Sequence, residues 1–103
     1  MDTIVIGIDV SKDRLDVHVL PAGTVMSHSR DAAGIEALIG VLASLGPQLV
    51  AVEATGGFET VVVASLAAAS LPVVVVNPAQ VRAFATALGR RAKRHKRPEL
   101  WLY

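Results

Sequence analysis

The spacing of apolar residues changes at residue 31. Before it, apolar and polar positions alternate; after it, they recur every three or four residues or gather in short unbroken runs. Thr3 to Asp9 (TIVIGID) is a β-branched run closed by an acid, and Arg14 to Leu20 alternates Leu15, Val17 and Val19 with Asp16 and His18. Both segments predict strands. Val10-Ser11-Lys12-Asp13 between them suits a hairpin turn, and Pro21-Ala22-Gly23 turns the chain again before Thr24 to Ser29. An antiparallel three-strand meander follows. From Asp31, the residues Ile35, Leu38, Ile39, Leu42 and Leu45 lie on one face of a helix that Gly46-Pro47 stops.

The remainder alternates strand and helix. Gln48 to Glu53 reads as a strand apolar on both faces, and Ala54-Thr55-Gly56-Gly57 connects it to a helix over about Phe58 to Leu71. Pro72 breaks that helix, Val73 to Val76 is a buried strand, and Pro78 opens a last helix to about Leu88. The order is β-β-β-α-β-α-β-α. Strands flanked by helices belong in the parallel part of a sheet and alternating strands in the meander. The expected fold is therefore α/β, a mixed five-strand sheet of the ribonuclease H-like arrangement. In that arrangement the first and fourth strands lie side by side and parallel, so Asp9 and Glu53 should meet at the carboxyl edge of the sheet.

Length and composition set the class. A chain of 103 residues, 52% hydrophobic and with no cysteine, fits one core without a disulfide framework, zinc ribbon or thiol nucleophile. A reducing cytoplasm is the expected location, since Met1-Asp2-Thr3 lacks the basic start of a signal peptide. The formal charge of +1 hides an asymmetry. Residues 1–89 hold 4 basic and 8 acidic side chains, whereas residues 90–103 hold 6 and 1. This predicts a domain over 1–89 and an irregular basic tail over 90–103. Phe58 to Val76 carries only Glu59 as a charge, long enough to suggest a membrane span, but Pro72 and the four-valine run fit helix, break and strand, so no membrane partner is expected.

Two carboxylates at one sheet edge suit a divalent cation, because Mg2+ takes hard oxygen ligands and can stabilise attacking and leaving oxygens in phosphoryl transfer. An acid ending a strand can equally face water. The motifs discriminate. GIDVSK (Gly7 to Lys12) with Leu15-Asp16-Val17, VEATGGF (Val52 to Phe58), and NPAQVRAF (Asn77 to Phe84) with Ala92-Lys93 resemble, in order and spacing, the N-terminal RuvC-like domain of the DEDD-type insertion-sequence transposases, insertion-sequence family 110. The likeness spans about residues 3 to 93.

That resemblance implies that Asp9 and Glu53 are the first two metal-binding, catalytic acids, with Mg2+ or Mn2+ as cofactor. It also implies an activity, the cutting and rejoining of DNA that mobilises an insertion element, with a guide RNA of the element and a C-terminal domain bearing a serine nucleophile as partners. The pattern departs at residue 94. Arg94 stands where the family has Thr, and His95 and Pro98 stand where it has its third and fourth acids. Residues Arg94 to Tyr103 read as out-of-frame or junction sequence. With half the acidic tetrad replaced, metal affinity should be weak and no strand cleavage is expected from this chain alone. A non-catalytic alternative is a chain that binds nucleic acid, self-associates, or pairs with full-length transposase and inhibits it.

The smaller signals stay two-sided. Lys12 suits a phosphate contact or a solvated turn. Arg90, Arg91 and Lys93, with Arg94, Lys96 and Arg97, can bind nucleic acid through counterion release or be basic by accident. Thr55-Gly56-Gly57 reads first as a Thr cap and second as a phosphate cradle. His18 and His28 read as surface residues, and Phe58 and Phe84 as core. An actin-like ATPase or sugar kinase also opens with a strand ending Gly-Ile-Asp, but the Val10 to Asp13 hairpin lacks the glycine its phosphate loop needs.

Overall fold

The computed structural model of the chain describes residues 3–77. Its elements run β1 (Val5–Val10), β2 (Arg14–Leu20), β3 (Thr24–Ser29), α1 (Ala32–Leu45), β4 (Leu49–Glu53), α2 (Glu59–Ala68) and β5 (Val73–Val76). They form one five-stranded sheet in the order β3-β2-β1-β4-β5. β1 pairs antiparallel with β2 and β2 with β3, while β4 runs parallel to β1 and β5 parallel to β4. The mixed ribonuclease H-like sheet is thus present. The helix predicted from Pro78 lies outside the described residues, as do Arg90, Arg91 and Lys93.

Alternation along the strands sorts the two faces. Ile6, Ile8 and Val10 of β1 face Val19, Val17 and Leu15 of β2 across the ladder, and Val50 and Val52 of β4 continue the row. These residues are buried with Ile35, Leu38 and Leu42 of α1 and Val62 and Leu66 of α2 in a single cluster. Both described helices therefore cover the same face. Each fully buried Leu or Ile in this layer contributes roughly 1.5–3 kcal/mol relative to exposure. Ile39 and Leu45 of the predicted stripe pack at its margin.

The caps explain where the helices stop and start. Asp31 is the N-cap of α1, its Oδ1 accepting from the Gly34 N–H at 2.7 Å and from the Ser29 hydroxyl at 2.8 Å. These donors, the Gly34 amide foremost, hold the Asp31 carboxyl below its ordinary pKa. Gly46 closes the helix at φ 61°, its N–H reaching the Leu42 carbonyl.

α2 ends three residues before the Leu71 that its periodicity suggests. Ser70 takes a left-handed conformation (φ 64°), its N–H donates to the Ala67 carbonyl and the Leu71 N–H to that of Leu66. This is a Schellman closure with serine at the position that usually takes glycine. Among the described residues no helix is long and apolar enough to cross a membrane.

Candidate active site

The sheet face opposite the core carries the charges. Asp9 sits near the carboxyl end of β1 and Glu53 ends β4, each alternating away from a buried neighbour, Ile8 and Val52. Ile8 and Val52 are register partners in the parallel ladder, so Asp9 and Glu53 occupy the next rung. Adjacent strands lie about 4.8 Å apart. The two acids are therefore neighbours on one face.

Asp16 extends this row. It is the direct cross-strand partner of Asp9, and Ser27 is in turn the partner of Asp16, while Val76 pairs with Glu53 on the far side. One rung across all five strands thus reads Ser27, Asp16, Asp9, Glu53, Val76. The Ser27 hydroxyl donates to Asp16 Oδ1 at 2.7 Å, and Arg14 Nε lies 3.1 Å from the same oxygen. His18, two residues behind Asp16 on this face, is half-buried rather than a plain surface residue. Burial lowers its pKa, with Asp16 and then Asp9 pulling the other way. Sequence periodicity places Asp16 and His18 on a common face but not opposite Asp9; that depends on hairpin register.

The loops after β1 and β4 close the edge. The Ser11 N–H and hydroxyl both donate to the Arg14 carbonyl, fixing the hairpin. Arg30, where β3 meets α1, donates from Nε to the Lys12 carbonyl at 2.6 Å and from its backbone N–H to that of Asp13. Its guanidinium lies 5.0 Å from the centre of the Phe58 ring. Arg30 thereby ties the loop that follows Asp9 to the loop that follows Glu53. Phe58 is 42% exposed rather than core, because α2 begins after it. Lys12 is exposed at the hairpin tip. His28 turns to the core side as the partner of Leu15, its enclosed Nε2 without a hydrogen-bond partner.

Thr55 does not cap α2. Its hydroxyl and N–H, with the Gly57 N–H, all donate to Glu59 Oε1 at 2.8–3.0 Å. The loop amides that could have cradled a phosphate hold a carboxylate of the same chain instead. These bonds, led by the backbone N–H of Glu59 itself, lower its pKa from 4.5 to about 2. A depressed folded pKa contributes stability that is present above the unfolded value and lost as pH falls through the folded one. Urea melts from pH 5 to 2 should therefore show a steeper loss of stability for the wild type than for Glu59→Gln. Parallel curves would show that this carboxylate does not secure the loop.

The residues present fit a hard divalent cation as two of its ligands. Asp9 and Glu53 supply carboxylate oxygens from adjacent strands, although among the described residues no group of three metal-ligating side chains is close enough to hold an ion. Sixteen chains of known structure are similar in fold. They include T. thermophilus RuvC in complex with a Holliday junction substrate, 19% identical over 86% of this chain and 73% of that one, with a TM-score of 0.62.

Two Pseudomonas aeruginosa structures are more distant. They are an uncharacterized protein similar to the peptidase YeaZ (21% identity, 92% and 50% coverage, TM-score 0.44) and YeaZ itself (20%, 91% and 50%, 0.42). No curated protein matches the sequence. A match to the DEDD transposases of IS110 insertion sequences runs over residues 6–97. DEDD transposases and RuvC-like nucleases are in general divalent-metal enzymes. With that match joined to a RuvC-like sheet, the chain belongs to the IS110-type DEDD transposase family, as its RuvC-like N-terminal domain.

Proposed function

We propose that this domain supplies the metal-binding acids with which an insertion-element transposase cuts and rejoins DNA, Asp9 and Glu53 being the catalytic pair. The register that makes Asp9 and Glu53 neighbours carries this reading. When bound, a divalent ion would supply charge neutralisation at the reacting phosphate. The two carboxylates would hold it, Mg2+ being the better fit to oxygen-only ligands and Mn2+ an alternative. Lys12, exposed at the hairpin tip that follows Asp9, would contact a phosphate of the bound strand.

DNA is the substrate, in keeping with the Holliday junction held by the RuvC neighbour. Arg90, Arg91 and Lys93 form a basic tail of residues 90–103 that adds sequence-independent affinity to the domain of residues 1–89. A guide RNA of the element selects the sites. The cytoplasm is the compartment, and pairing with another transposase chain is supported by exposed Val74 and Val75 on β5. Since His95 and Pro98 occupy the places of two family acids, this chain alone binds metal weakly and does not cleave.

Titrating the full chain with Mg2+ while recording NMR spectra tests the metal reading. Saturable shifts of the Asp9 and Glu53 signals at millimolar metal, absent in Glu53→Gln, are expected. A folded spectrum that Mg2+ leaves unchanged would overturn it.

A further inference from the structure

The described residues hold three lysines and arginines, Lys12, Arg14 and Arg30, and all three lie at the sheet edge where β1 and β4 deliver Asp9 and Glu53. Arg30 is committed to tying loops together. Arg14 differs: it is 65% exposed and paired with a carboxylate of the same face. Its Nε lies 3.1 Å from Asp16 Oδ1 and its Nη2 3.4 Å from Oδ2, a side-on grip on both oxygens of one carboxylate. That carboxylate is itself secured by the Ser27 hydroxyl at 2.7 Å. Side-on pairing uses the Nε and Nη2 edge of the guanidinium and turns the other edge, the fork formed by Nη1 and Nη2, away from Asp16. That fork matches two oxygens of a phosphate.

We propose that Arg14 is a phosphate-binding residue for the DNA strand brought to Asp9 and Glu53, positioned by the Asp16–Ser27 pair. The assignment rests on the DNA reading above and deepens it. Three features support it. Arg14 stands two residues, about 6.7 Å of strand, from Asp16 on the face that carries Asp9. An acid row repels a polyanion, and a guanidinium on the same face as that row lowers the repulsion. An arginine whose guanidinium is already paired with a neighbouring carboxylate loses less rotamer freedom on binding than an unpaired one.

The competing role is neutralisation of Asp16 alone. Exposed pairs of that kind contribute little to stability, and such a role predicts no change in DNA affinity when Arg14 is replaced.

The test measures anisotropy of a fluorescein-labelled 30-mer, as single-stranded DNA, duplex DNA and RNA, with the full chain in EDTA across a salt series. EDTA separates phosphate binding from the metal reading. Arg14→Gln should weaken DNA binding by roughly three- to tenfold at about 100 mM salt and reduce the salt slope by about 0.9 for duplex and about 0.7 for single strands. Arg14→Lys should recover part of the affinity, as a point charge without the fork. Ser27→Ala should weaken binding less than Arg14→Gln.

Unchanged affinity and slope in a folded Arg14→Gln chain would overturn the assignment while leaving DNA binding intact. A loss confined to RNA would overturn it as a DNA contact. No DNA binding by the wild type would overturn both this assignment and the proposed DNA substrate.

Discussion

Gly34→Ala abolishes the native fold or leaves it several kcal/mol weaker, while Gly40→Ala, six residues along the same helix, strengthens it. Gly34 is buried in the first turn of α1, where the helix passes over the end of β3. A Cβ built there runs into the backbone carbonyl and the hydroxyl of Ser29. Backbone cannot swing aside as a flexible side chain can. α1 would have to lift from β3, separating the Gly34 N–H from Asp31 and Asp31 from Ser29, and shifting Ile35, Leu38 and Leu42 in the core.

Overpacking typically costs about 1–3 kcal/mol and loss of an N-cap about 1 more, against a total stability of about 5–15 kcal/mol. The gain of about 1 kcal/mol in helix propensity does not offset that sum. At Gly40 nothing lies within 4 Å of an added Cβ, so the propensity gain stands alone. Thermal melts followed by circular dichroism should move in opposite directions for the two variants. A Gly34→Ala chain as stable as the wild type would show that α1 does not sit on Ser29 as described.

Much of this architecture is legible in the sequence because local chemistry and global fold agree. The strands Arg14–Leu20, Thr24–Ser29 and Val73–Val76 fall where alternation or an unbroken valine run meets Gly and Pro punctuation, although Val73–Val76 is a sheet-edge strand with Val74 and Val75 exposed rather than the buried strand its valines suggest. The early end of α2 is hidden because Ser70 adopts a conformation that a reader expects of glycine. Thr55 before two glycines has the pattern of a cap. Its part in a ring of donors around Glu59 depends on a loop that folds back four residues.

The acid pair is visible because each acid lies at the carboxyl end of an apolar run, Asp9 one residue short of the end of β1 and Glu53 at the end of β4, and the fold order makes those strands neighbours. Asp16 and Arg14 are not visible as part of it. Their place depends on the hairpin pairing Asp9 with Asp16 rather than with a residue one position away, and a slip of one would turn the whole row to the other face. Phe58 is read as core because it adjoins the apolar stretch of α2, yet it precedes the first helical turn and lies beneath Arg30.

The same row that would receive the proposed cation is unfavourable to the metal-free fold, and this leads to the second large effect. Asp9 and Asp16 are direct cross-strand partners, with Glu53 on the next strand, so three carboxylates lie abreast over β2, β1 and β4. Like charges directly opposite destabilise a sheet by roughly 0.2–1 kcal/mol. Arg14 and Ser27 offset the charge of Asp16 from its far side.

Asp9→Asn keeps the shape and removes the central charge. Without metal it should melt higher than the wild type, by about 1–6 °C at low salt and less as salt screens the row. A divalent ion reverses the order. At tenfold excess over its dissociation constant it stabilises the wild type by about 1.4 kcal/mol, more than the relief of repulsion supplies, and Asp9→Asn should show at most a fraction of that shift.

The two melting curves should therefore cross as Mg2+ is added. Asp16→Asn is the contrasting variant. It strips Arg14 and Ser27 of an ionic partner and so gains less from relieved repulsion. If Asp9→Asn melts below the wild type in EDTA, or is stabilised by Mg2+ as much as the wild type, Asp9 is a solvated strand-end acid and the metal lies elsewhere. A crossing shows that this edge keeps an electrostatic strain that the cation relieves.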